Sequence, residues 1–99
     1  MHTIVRKTLE IYLSEKRVPT LSDFSGLVDN YSQSKEAVFV TLYLDGKVIA
    51  SSGRIIPNKE NTLYECIDNT LLCLKDPRAT VLTRVEDLAR VTIRTDRFA

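Results

Sequence analysis

The chain is poor in the groups that most site chemistry needs. It has one histidine, His2, beside the amino terminus, and two cysteines, Cys66 and Cys73. A serine nucleophile is ordinarily served by a histidine base within hydrogen-bond reach, so a catalytic triad has almost nothing to draw on. A zinc site is equally short of ligands, and neither a metal nor a cofactor is expected. Cys66 and Cys73 fall in a segment with helical spacing. At ~1.5 Å rise per residue their α-carbons would sit ~10 Å apart, too far for a disulfide, so they are expected as buried free thiols. Glycine is scarce as well. Gly26, Gly46 and Gly53 are widely separated, which leaves no phosphate-binding loop or dinucleotide fingerprint.

Charge of one sign is also missing. Fourteen Lys and Arg stand against thirteen Asp and Glu, a net charge of +1 that argues against a dedicated nucleic-acid binder. No apolar run approaches the ~20 residues that span a bilayer, so no membrane partner is expected. The first residues, Met1-His2-Thr3-Ile4-Val5-Arg6-Lys7, lack the apolar core of a secretory signal, and the cytoplasm is the expected location.

What remains is a globular composition, 43 % hydrophobic and 27 % charged, over 99 residues, which suits one domain spanning 1–99. Ile4, Thr8, Leu9, Tyr12 and Leu13 share one stripe at helical spacing, which predicts a surface helix over 3–16 that stops before Pro19. Residues 18–36 are irregular, with Leu21, Phe24, Leu27 and Tyr31 as expected anchors. Asp45-Gly46 between two β-rich runs is a strong hairpin signal, because both central residues of a type I′ turn take positive φ. A plain two-residue loop sets Leu44 opposite Lys47, Tyr43 opposite Val48, Leu42 opposite Ile49 and Val40 opposite Ser51. One face then carries Val38, Val40, Leu42, Ile49 and Ser51. The other carries Phe39, Thr41, Tyr43, Val48 and Ala50. Thr62-Leu63-Tyr64-Glu65 has the spacing of a capping box opening a helix that ends at Asp76-Pro77. A second such box, Thr83-Arg84-Val85-Glu86, opens a short turn, and 89–95 alternates as a third strand. The expected class is α+β: an N-terminal helix, a central antiparallel hairpin plus a third strand, and one long and one short helix packed on the sheet.

These residues resemble the AMMECR domain family. Its pattern runs Val-Phe-Val-Thr-Leu, a turn with Gly, then Leu-Arg-Gly-Cys-Ile-Gly and a proline, followed after a helix by Asp-Pro-Arg. Val38-Phe39-Val40-Thr41-Leu42, Gly46, Gly53, Pro57, Asp76-Pro77-Arg78 and Leu82-Thr83 match in order and spacing. The resemblance covers most of the chain. It implies a single partial AMMECR-like domain, since the family's domain continues for a comparable length beyond the third strand. The signature is altered, however. The family's Arg falls on Ile49, its Gly on Ala50 and its Cys on Ser51, so the side chains associated with chemistry in that family are absent.

Two functional readings follow. A polar corner, Ser51, Ser52, Gly53 and Arg54, with Lys47 as a basic neighbour, is a candidate ligand-binding or small-enzyme site. The competing explanation is that small residues in a strand let another element pack closely. Arg84, Arg90, Arg94 and Arg97 are interleaved with Glu86, Asp87 and Asp96, so they form a solvated face more than a basic patch. The leading expectation is a non-catalytic association module. Its candidate interface is Val38, Val40, Leu42 and Ile49, covered by a second copy, giving a homo-oligomer, or by a protein partner. On that expectation Ile49→Lys breaks association and spares the fold.

Overall fold

The computed structural model describes residues 1–24 and 29–98. Its first helix, α1, covers His2–Glu15 and buries Ile4, Val5, Thr8, Leu9, Ile11 and Leu13. It ends where Lys16 turns left-handed at φ 55° and its N–H returns to the Tyr12 carbonyl. A short 3-10 turn, Leu21–Phe24, follows and delivers the fully buried Phe24. Leu21 stays exposed, Tyr31 is half-buried, and the expected anchor Leu27 lies outside the described residues. After the one-turn helix α2, Asp29–Ser32, come strands β1, Ala37–Leu44, and β2, Lys47–Gly53. Helix α3 spans Thr62–Cys73, 3-10 turns cover Pro77–Val81 and Val85–Arg90, and strand β3 runs Val91–Phe98. The class is α+β, with three antiparallel strands in the order β2-β1-β3. No helix among the described residues is long and apolar enough to cross a membrane.

The hairpin turn forms at Asp45 and Gly46, with φ of 51° and 83°, the two positive values a type I′ turn requires. The register beyond it differs from the plain loop. Leu44 faces Lys47 and Tyr43 faces Val48, but Leu42 faces Ala50 and Val40 faces Ser52. Ile49 is an extra residue in β2, a bulge, and every later side chain changes face because strand side chains alternate. Ala50 and Ser52 therefore point inward with Val38, Val40 and Leu42, while Ser51 points outward with Phe39, Thr41 and Tyr43.

This corrects the candidate interface. Val38, Val40 and Leu42 are fully buried and Ile49 is 8 % exposed, because this chain's own helices roof the face that they share. The core joins them to Ile4, Val5 and Leu9 from α1 and to Leu63, Cys66, Ile67 and Cys73 from α3. The physical reason is the helical stripes themselves: two amphipathic helices need an apolar face, and the inner sheet face is the one available. Ile49→Lys is accordingly a core change. The thiols of Cys66 and Cys73 are buried and free, and burial pushes both up to about 12. The Cys73 thiol donates to the Val40 carbonyl at 3.5 Å.

Caps also differ from the sequence pattern. Asn61, not Thr62, is the N-cap of α3, and its side chain accepts from the Tyr64 N–H. In the turn before β3 it is Asp87, not Glu86, that accepts from the Thr83 and Arg84 N–H groups. Asp76 caps the Pro77 turn by accepting from the Arg78 N–H. Three carboxylates sit below their ordinary range: Asp23 beside Arg17, Asp76 beside Arg78, and Asp87 under its backbone donors from Arg84 and Thr83. A lowered folded-state value favours the ionised form in the fold. Their contribution is thus complete above pH ~4, the unfolded carboxylate range, and lost as pH falls through the lowered values. Carboxyl titration by NMR should place all three midpoints below about 3.9; ordinary midpoints would remove this account of the caps.

Candidate functional site

The corner after β2 is held by a carboxylate that the capping-box pattern disguised. Glu65 is fully buried on α3. Its Oε1 accepts from the Asn58 and Lys59 backbone N–H groups at 2.7 and 2.9 Å, and its Oε2 accepts from Asn69 Nδ2 at 2.9 Å. Arg54 reaches Glu65 at 3.4 Å and pairs more closely with Asp68, and both acids raise its already high pKa, Asp68 foremost. Asp68 also lies 4.0 Å from Lys59 Nζ. One buried anion thus ties the chain leaving β2 to the first turns of α3. The Nε of Arg54 is buried and has no partner among the described residues.

The five residues proposed for a ligand corner do not converge. Ser52 faces inward and donates to Asn69 Oδ1 at 3.0 Å. Ser51 faces outward beside Thr41, 3.5 Å between hydroxyls. Gly53 lies against Phe39, where a Cβ would run into the ring, so its smallness serves close packing. Arg54 is committed to its acids. Lys47 stands at the other end of β2, about 20 Å away at ~3.3 Å per residue. Asp76 and Arg78 pair with each other at 2.8 Å. A ligand would find these groups spread over both faces and already partnered.

The outer sheet face carries a different arrangement. At the end where β1 begins and β3 finishes, Phe39 meets Phe98 edge to face with centroids 5.5 Å apart. Ala37, Phe39, Ile55 and Phe98 line an apolar hollow of about 280 Å³. Ile55 is 85 % exposed, Ile56 81 % and Phe98 55 %. Along the same face Arg94 and Asp96 of β3 bond to each other at 3.2 Å, and at the hairpin end Arg90 pairs with Asp45. Sequence reasoning missed this corner because it ended the third strand at Thr95. Continued alternation through Asp96-Arg97-Phe98 was the available signal, and Ile55-Ile56 before Pro57 was the other.

Comparison with known proteins found no family model and no curated protein that matches the chain. The AMMECR resemblance stands on its short motifs alone.

Proposed function

We propose that this chain is a non-catalytic protein-association module of the AMMECR type that self-associates through its sheet. The observation that carries the reading is the apolar corner at Ala37, Phe39, Ile55 and Phe98, where Ile55 and Phe98 are more than half exposed, with the exposed Ile56 next to Ile55 in the chain. Contiguous exposed apolar surface of this kind marks an interaction site, and homodimer interfaces are the more apolar class. The inner face is closed by α1 and α3, which leaves the outer face and the strand edges as the sheet's available surface.

The test is size-exclusion chromatography coupled to light scattering at high micromolar concentration. The unaltered chain should run as a dimer or larger. Phe98→Asp and Ile55→Asp should each raise the dissociation constant at least about tenfold, the loss of ~1.4 kcal/mol, with the folded circular dichroism spectrum kept. A chain that remains monomeric, or variants that associate as before, would count against the reading.

A further inference from the structure

Resting on that self-association reading, we propose that the second copy binds along the free edge of β3, antiparallel, with the two-fold axis at Thr95. Each edge of the sheet offers a different template. β2 is kinked by the bulge at Ile49, a device that disfavours edge pairing. β3 is regular over Val91–Phe98, pairs with β1 residue for residue, and has no strand along its outer edge among the described residues. The Val91 carbonyl already accepts from Arg6 at 2.7 Å, so the free run begins at Thr92.

Charge selects the register. In a symmetric antiparallel pair, residues equidistant from the axis stand opposite each other. An axis at Arg94 sets that arginine against its own copy, and an axis at Asp96 does the same with two carboxylates; like charges directly opposite are destabilising. An axis at Thr95 places Arg94 opposite Asp96 of the second copy, twice. It also sets threonine against threonine, another favourable cross-strand pair. The pairing then spans Thr92 through Phe98, the whole free run, and brings the apolar Phe98 beside the chain entering the second copy's β3. The remaining cation, Arg97, is already occupied: it lies 3.5 Å from Glu36 and over the Tyr31 ring at 5.1 Å. It does not block the edge in the way an unpaired charge would.

Two experiments on the full chain test the register. Single cysteines replace Arg94, Thr95 and Asp96 in turn, and each variant is oxidised and examined on non-reducing gels. Only Thr95→Cys should form a covalent dimer, because directly opposite α-carbons lie ~4.5–5.5 Å apart, within disulfide reach. Cys66 and Cys73 are fully buried and do not compete. In the second experiment, Arg94→Asp and Asp96→Arg should each lose self-association by tenfold or more, since like charges then oppose. Mixing the two chains should restore it as a heterodimer, because every opposed pair is again complementary. Cross-linking at position 94 or 96, or association untouched by the charge changes, overturns the register and leaves self-association standing. A chain that is monomeric at high micromolar concentration overturns both.

Discussion

Replacing Glu65 with alanine is expected to lower the unfolding free energy by about 3–5 kcal/mol, the usual cost of removing one member of a buried, hydrogen-bonded charge network. In a domain of this size each 1 kcal/mol shifts Tm by about 4–8 °C, so thermal unfolding should move by more than ~10 °C. The magnitude follows from what the change strands: two backbone N–H groups, the Asn69 amide and the Arg54 guanidinium all direct donors at one fully buried carboxylate. Glutamine at the same position should be intermediate. It keeps an acceptor for Asn58 and Lys59 but turns an amide donor toward Asn69. Asp68→Ala should cost no more than about 1 kcal/mol, because that pair is partly solvated. A loss below about 1 kcal/mol for Glu65→Ala would mean that water replaces the clamp and that the corner is not held by it.

Leu42→Ala should be nearly as damaging, about 2–5 kcal/mol by urea unfolding with an unchanged denaturant slope. Leu42 is fully enclosed between Ala50 and Ile93 on its neighbouring strands and the helices above them. The companion measurement is oligomeric state. Under conditions where the variant remains folded, association should match the unaltered chain, since Leu42 is on the closed side of the sheet. A variant that loses association while keeping its stability would return the interface to the inner face and refute its placement on the outer side of the sheet. Phe98→Asp makes the contrast: association changes and Tm moves little.

The elements that could be read from sequence are those whose causes are local. The hairpin turn follows from Asp45-Gly46 because positive φ is a property of those two residues, and α1 follows from a stripe that needs only an apolar surface to cover. The bulge at Ile49 could not be read, because it answers to residues far along the chain. It lets Ser52 reach Asn69 on α3 while Ile49 and Ala50 both remain buried. That single extra residue exchanged Ser51 with Ala50, whereas the candidate interface failed because this chain's own helices cover Val38, Val40, Leu42 and Ile49. Glu65 was hidden for a related reason. A glutamate three positions after a threonine already had a capping role to fill, so its burial had no separate signal. In the structure Thr62 instead joins Ser34 at 2.7 Å and accepts from the Glu36 N–H, and the cap shifts back to Asn61. The polar corner failed as a site for a geometric reason. Consecutive strand residues point to opposite faces, so Ser51 and Ser52 cannot serve one ligand together.

The strand order β2-β1-β3 also sets a sequence of events in time. β2 joins β1 across a two-residue turn, the kind of closure that forms in about 1–10 μs. β3 joins the other side of β1 only after a far larger loop has closed, since even its nearest pair, Leu44 with Val91, lies roughly fifty positions apart. The logarithmic growth of loop entropy makes that closure about 2 kcal/mol more costly than the turn. A chain emerging from the ribosome can therefore build its hairpin early, yet it holds one side of its central strand unpaired until β3 has been made.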